Sequence, residues 1–417
     1  LIAVFFPMSI PVHTPFLSQS EWLNHLSEVQ PVAKEMLEKS EEEQRHLGYF
    51  HTLREIGQQP STWLRTAELM QSHAAELRSL VDGISWLSLS GSGSSEYAGD
   101  CVRLALRKRL AVNVEAVPAG ALLTRGRYAL PVGNPSLMVS LARSGDSPES
   151  VGALALVRTL EPDTRHLVVT CNREGTLANT FRGDPKVRVI TLDDATNDRS
   201  LVMTSSFTNM ALGACFLGFS KESAAYATLV AALARSASTI LQDQMTSLAK
   251  LARKPFRRAV FLGSGARLAG AREASLKMLE MTAGRVATTC ETFLGLRHGP
   301  MSGVHGDTLV VCFLSSDPLV RAYEVDVLKE INEKRLGLAR VIAGEDVTQN
   351  VGCAQDLVVP YQCPDVADED LPVLDVIVGQ LLALFRCLQE GLRPDSPSET
   401  GVIRRVVPSF TLYPFAS

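Results

Sequence analysis

The sequence predicts an α/β protein made of two copies of one parallel-sheet domain. Three observations carry this. From Ile84 onward short apolar runs alternate with helical ones, the pattern of parallel strands joined by crossover helices. The pattern then restarts, because Gly91 and Gly93 in the turn Ser90-Gly91-Ser92-Gly93-Ser94-Ser95 have counterparts 172 residues later at Gly263 and Gly265. Self-similarity at one fixed offset is the mark of a repeat. Between the copies, residues 221–252 form a long Ala-rich stretch that reads as one helix.

Taken in order, residues 1–27 open with LIAVFFPMSIPVHTP. This run is apolar, lacks a basic leader and is shorter than a bilayer span, so it is expected to be untargeted and unstructured. Residues 28–81 form a helical extension: a charged, helix-prone run to 57, a break at Gln58-Gln59-Pro60-Ser61, then a second helix over 62–81. Its expected role is packing or a dimer contact. The first α/β copy spans 82–220, with strands at 84–90, 112–116, 136–142, 166–170 and 187–191. A connecting helix covers 221–254. The second copy spans 255–391, with strands at 258–262, 286–290, 308–314, 339–343 and 356–360 and a closing helix at 371–390. Residues 392–417 are a C-terminal tail.

At 417 residues the chain has room for two or three domains, and 46% hydrophobic with 21% charged residues fits a well-packed core. A net charge of −4 without any basic block argues against a nucleic-acid surface, and no membrane segment is expected. The eight cysteines show no CxxC pair and no metal-ligand spacing; Cys312, in Leu309-Val310-Val311-Cys312-Phe313-Leu314, sits in an apolar run. Buried free thiols in a reducing cytoplasm fit best, with no metal.

Chemistry begins at the turns. Ser140-Leu141-Ala142-Arg143-Ser144-Gly145-Asp146-Ser147-Pro148-Glu149-Ser150 runs from an apolar strand into a helix, with Ser147 at the N-cap and Pro148 in the first turn. Unpaired amides and the helix dipole favour an anion at such a start, and Ser144 and Ser147 add hydroxyl donors. Alone, this turn is equally a capped connection. With the Ser92–Ser95 turn opening at the same carboxyl edge of the sheet, two hydroxyl-rich turns converge, which favours a phosphate.

Further along, Glu273, Lys277 and Glu280 fall within roughly 60° of arc on one helix otherwise made of small and apolar residues. The spacing suits an i,i+4 pair facing water, or a cleft wall with a carboxylate base and an ammonium beside it. Either Glu273 or Glu280 serves as the base on spacing alone. His298, in Leu294-Gly295-Leu296-Arg297-His298-Gly299-Pro300, lies in a loop between α/β elements. A loop histidine is either solvated or a proton shuttle.

Together, GSGSS (91–95), ARSGDSPES (142–150), LGSG (262–265), ARE-x3-K-x2-E (271–280) and RHGP (297–300) resemble the sugar isomerase (SIS) domain superfamily. Adding NDRSLVMTSS (197–206), AREASLKMLEMTAG (271–284), GLRHGP (295–300) and PDSPSETGVIRRVV (394–407), the chain is similar to the tagatose-6-phosphate ketose/aldose isomerase branch, also described as galactosamine-6-phosphate deaminase. The resemblance covers residues 50 to 415. It implies two tandem SIS domains, each a five-stranded parallel sheet between helices in a flavodoxin-like three-layer arrangement, with no cofactor. It assigns phosphate binding to Ser94, Ser95, Arg143, Ser144 and Ser147, and the sugar lining to Thr204, Ser205, Ser206 and Arg297. Catalysis falls to Glu280, Glu273 and Lys277 on the helix, and ring opening to His298.

Two departures stand out from the pattern of glucosamine-6-phosphate synthase: Ala142 replaces a hydroxyl of the phosphate turn, and Arg297 stands where lysine is usual. The implied reaction is aldose–ketose isomerisation of a hexose or hexosamine 6-phosphate, with ammonia released when C2 carries an amine. The implied assembly is a homodimer or larger, with His298 acting in a neighbour's site. Two rivals are weighed. An amidotransferase needs an N-terminal nucleophilic cysteine, and the first cysteine is Cys101, inside the first copy. A non-catalytic sugar-phosphate regulator lacks support from the acidic-to-mixed 28–81 segment.

Overall fold

The computed structural model describes residues 19–131, 135–347, 356–408 and 410–414. All ten expected strands form: β1 (Trp86–Gly91), β2 (Asn113–Pro118), β3 (Ser136–Ala142), β4 (Arg165–Thr170), β5 (Val187–Thr191), β6 (Arg258–Leu262), β7 (Ala287–Glu291), β8 (Thr308–Phe313), β9 (Ala339–Glu345) and β10 (Leu357–Tyr361). They make two five-stranded sheets in the same order, β2-β1-β3-β4-β5 and, read from its other edge, β7-β6-β8-β9-β10. Every pairing is parallel, for example Leu89 opposite Val139 and Phe261 opposite Val311. The two tandem SIS-type domains are therefore present as two topologically equivalent sheets.

The central strands β1, β3 and β8 are buried along their whole length, whereas the edge strands β2 and β7 alternate with exposed positions. That is why the central strands read as unbroken apolar runs: helices cover both faces of a parallel sheet. Between the halves, the helix Ser205–Cys215 is buried at all eleven positions. The connecting helix Ser223–Ala252 packs there through Tyr226, whose hydroxyl donates to the Leu212 carbonyl at 2.8 Å. Two helices, Ser223–Ala252 and Pro372–Gln389, have the length and apolarity of a membrane span. The second is buried almost throughout, because it is the inner core helix of the second half.

That helix packs unusually closely on Arg267–Met281. A Cβ at Gly379 would stand 2.3 Å from the Cβ of Ala274, and one at Gly270 would stand 2.9 Å from that of Asp375. Both glycines are needed for the approach, which fixes the helix carrying Glu273, Lys277 and Glu280.

Two expectations need correction. Residues 19–27, expected to be unstructured, belong to the helix Gln19–Val29, which buries Trp22 and Leu26; the stretch 1–18 lies outside the described residues. The 28–81 segment is not two helices but five short ones: Pro31–Leu37, Glu41–Leu47, Phe50–Gly57, Gln59–Ser72 and Ala74–Val81. Ser40 and Glu43 form a capping box, and Gly48 ends the next turn at φ 72°. The segment is also part of the core. Trp63 is fully buried, with its indole donating to Thr208 at 2.8 Å.

Candidate active site

The first sheet ends in two turns whose geometry depends on glycine. Gly93 (φ 57°) precedes the helix Ser94–Leu110, and Gly145 (φ 67°) lies just before Pro148–Leu160. Neither Gly93 nor Ser147 caps its helix through a side chain, and the Ser95, Glu96 and Ser150 amides turn back to the Ser92, Gly93 and Ser147 carbonyls.

Opposite these turns stands the helix Arg267–Met281 of the second half. Lys277 is fully buried, and its Nζ meets Glu280 Oε2 at 2.5 Å, Glu273 Oε1 at 3.2 Å and Ser94 Oγ at 3.0 Å. One ammonium thus ties the second half to the first half's β1 turn. The exposed-stripe alternative for these three residues is ruled out, because Glu273 and Lys277 are both at 0% exposure. Burial pushes the Glu273 carboxyl up to about 7; Lys277 partly opposes this and Glu280 adds to it. Its two oxygens make no hydrogen bond of good geometry; Lys277, in ion-pair contact at 3.2 Å, and the Ser94 hydroxyl are the polar groups that favour its charged form. Burial alone would lower the Lys277 pKa, but the Glu273 and Glu280 carboxylates more than offset it and the ammonium is held charged.

Glu280 differs from Glu273 in access. Its side chain is 25% exposed and opens onto a cavity of about 580 Å³ between the halves. Ser94, Arg143, Met203 and Lys277 share the wall, and Arg404 of the tail closes it. Arg143 is buried and donates to the carbonyls of Leu201 (2.9 Å) and Arg405, so it pins the 197–206 loop and the tail at the cavity. Burial lowers its pKa from the ordinary arginine value.

The remaining expected residues fall into three groups. Ser95, Ser144 and Ser147 lie in the same two turns but do not line the cavity: Ser95 Oγ faces Met203 Sδ at 3.9 Å, Ser144 Oγ accepts from the Asp146 amide at 3.2 Å, and Ser147 Oγ bonds Ser150 Oγ at 2.8 Å. Thr204, Ser205 and Ser206 are fully buried beside Asp198. Its carboxylate accepts from the Thr204 amide (2.7 Å), the Ser205 hydroxyl (2.8 Å) and the Ser206 amide (2.9 Å) and hydroxyl (2.5 Å). These hydroxyls serve a helix start, and Leu201 and Met203 line the cavity in their place. Finally, Arg297 pairs with Glu330 at 2.6 Å, and His298 is exposed on its loop, away from the cavity of its own chain.

The sequence alone gave no role to four contributors. Asp198 was legible only as an acid six to eight residues ahead of Thr-Ser-Ser. Glu55 accepts from the Arg199 amide at 2.5 Å and from the Ser200 hydroxyl; burial, then the Asp198 charge, pushes it up to about 8. Arg404 and Arg405 stood out only as paired basic residues in an apolar tail.

No family model matches the chain. The D-galactosamine-6-phosphate deaminase AgaS of Shewanella sp. (strain ANA-3) is 33% identical over 392 residues, covering 90% of this chain and 95% of that protein. The protein of the same name from Escherichia coli O157:H7 is 31% identical over 374 residues, covering 87% and 96%. Among solved structures, the tagatose-6-phosphate ketose/aldose isomerase of Escherichia coli superposes with a TM-score of 0.78 at 28% identity, covering 88% of this chain and 97% of that one.

Proposed function

The chain belongs to the family of the D-galactosamine-6-phosphate deaminases AgaS, and on that footing we propose that it converts D-galactosamine 6-phosphate to tagatose 6-phosphate and ammonia. The observation that carries the reading is the Lys277–Ser94 bridge, with Glu280 beside it on a cavity walled by both halves. A candidate base, an ammonium and an anion-friendly turn converge there.

The substrate's phosphate sits over the turns of Ser94, Ser95, Arg143, Ser144 and Ser147. Hydroxyls and helix-start amides supply its donors, and Arg143 the charge. In the opened aldose, Glu280 removes the C2 proton and delivers it to C1, through an enolamine, while a proton of the amine passes to O1, leaving a ketimine at C2 and a hydroxymethyl at C1. Water adds to the ketimine carbon and ammonia departs, leaving the ketone. Lys277 holds Glu280 in place and lies close enough to stabilise a developing oxyanion. Glu273, which no solvent reaches, acts by fixing Lys277. Without a C2 amine the same proton transfer is plain isomerisation.

His298 opens the ring from a neighbouring subunit of a homodimer or larger assembly; its exposure outside its own cavity supports this. No metal or cofactor takes part, and the enzyme acts in the cytoplasm, where its seven described free cysteines stay reduced. The test is ammonia release from galactosamine 6-phosphate, glucosamine 6-phosphate and their 2-hydroxyl analogues. Ammonia from the galacto sugar, with a ketose phosphate formed in equal amount, is expected; none from any amino sugar phosphate overturns the reading.

A further inference from the structure

Behind the first sheet's phosphate turn lies a second cavity that the proposed reaction does not use. It measures about 570 Å³ and is walled by the segments following β4 and β5 and by the tail: Arg173, Glu174, Asp194, Asn197, Arg199 and Arg405 among them. It opens at the carboxyl edge of the parallel sheet, where ligands of such folds bind.

Three guanidinium groups line it, and they are incompletely paired. Arg199 donates no side-chain hydrogen bond and joins no ion pair among the described residues, while Arg173 reaches only Asp194, at 3.9 Å. Arg405 is held in place by its Nε bond to the Asp198 carbonyl (2.8 Å) and its Nη2 bond to Asn197 Oδ1 (2.6 Å). Against these stand the carboxylates of Glu174 and Asp194, leaving one net positive charge. Two buried arginines of the second half show the contrast: Arg267 is bonded bidentately to Asp375, and Arg340 to Asp356. Idle, forked donors around a polar cavity match a phosphate monoester, which guanidinium groups bind with paired N–H bonds.

The walls of this cavity also touch the substrate turn. Asn172 donates from Nδ2 to the Ser144 carbonyl at 2.8 Å, and Arg143 donates to the Arg405 carbonyl. We propose that Arg173, Arg199 and Arg405 form a second anion site, for a small phosphate-bearing molecule, beside the catalytic cavity, with Arg405 in the wall of both and Arg173 and Arg199 in that of the second alone.

Equilibrium dialysis with radiolabelled inorganic phosphate tests this on the whole protein. The wild type binds two phosphates per chain, and the double variant Arg173→Gln/Arg199→Gln binds one, with its melting temperature unchanged because both side chains are exposed. Arg199→Lys alone retains the second phosphate with at least tenfold weaker affinity. A single phosphate in the wild type, or two still bound by the Arg173→Gln/Arg199→Gln protein, overturns the site. The Ser144→Ala/Ser147→Ala protein keeps the arginine-bound phosphate and loses the other. If that protein keeps both, the catalytic phosphate assignment fails and the arginine site stands.

Discussion

The two sheets end in the same kind of turn after their third strands in the chain, and the two turns have opposite fates. In the first half Arg143-Ser144-Gly145-Asp146-Ser147-Pro148 leads into a helix with uncapped amides. In the second, Leu314-Ser315-Ser316-Asp317-Pro318 does the same after β8, but carboxylates of the chain itself occupy its donors. Asp368 accepts from the Ser315 hydroxyl and from the Ser316 amide (2.8 Å) and hydroxyl (2.9 Å), and Glu324 accepts from the Ser315 amide at 2.8 Å. Burial by itself would raise the Asp368 pKa; the two serines and Arg267 more than offset this, and it is lowered. Position 95 of the first turn is serine, and its repeat partner at 267 is a buried arginine bonded to Asp375. One fold motif thus supplies an anion place twice. The second copy fills its own with Asp368 and Glu324; on the proposed function the first is left for a ligand, and the second copy carries the helix of the candidate base.

The largest consequence concerns that helix. Glu280→Gln keeps the shape of the side chain and removes the proton acceptor, so kcat should fall on the order of 10²–10⁴-fold. Phosphate binding at the first turn should survive, as should the fold. Solvent-deuterium incorporation at C1 or C2 of the sugar at the wild-type rate would break the assignment.

A stability change is the mark of the self-filled copy. Asp375→Asn removes the bidentate partner of the buried Arg267, leaving it the Asp368 carboxylate at 3.6 Å, and weakens the Tyr361 hydroxyl bond. A loss of about 3–5 kcal/mol in chemical denaturation is expected.

Acidity separates the halves in sign. His166 in β4 is buried with neither ring nitrogen bonded, and burial, aided by Arg158, pushes it down to about 4. Its folded value lies below the unfolded one, so stability is lost as pH falls from about 6.5 toward 4. Glu324 in the second half is pushed up to about 7, chiefly by burial, so its contribution falls as pH rises from 4.5 through that value. His166→Phe should flatten the acid limb of the melting-temperature profile and Glu324→Gln the opposite limb. Unchanged profiles in both variants would remove this contrast.

The comparison also explains what the sequence made legible. Central strands buried on both faces must be apolar throughout, so β1, β3 and β8 were plain, and the glycine offset gave the repeat. Hydroxyl residues were less informative. Ser205 and Ser206 look like Ser144 and Ser147 in one dimension, and only the carboxylate of Asp198, which accepts from their amides and hydroxyls, reveals that their donors are spent on the start of a helix. The same holds for Ser315 and Ser316, whose partner Asp368 lies some fifty residues on. The helix stripe failed to separate Glu273 from Glu280 because both share one face; burial separates them. The short helices of 28–81 blurred into longer ones because their breaks are only one to three residues long: Gln30, 38–40, 48–49, Gln58 and His73.

The central claim is that the first turn holds the substrate's phosphate and the second holds only its own carboxylates. The direct measurement pairs two double variants, Ser144→Ala/Ser147→Ala and Ser315→Ala/Ser316→Ala, in steady-state assays of ammonia release beside thermal melts. The first pair should raise KM roughly 10- to 100-fold, as lost bonds to a charged group do, with little change in melting temperature. The second pair should lower the melting temperature and leave KM within about twofold, since the Asp368 carboxylate already takes both of its hydroxyl donors. Equal KM effects from the two pairs, or none from the first, would contradict the account.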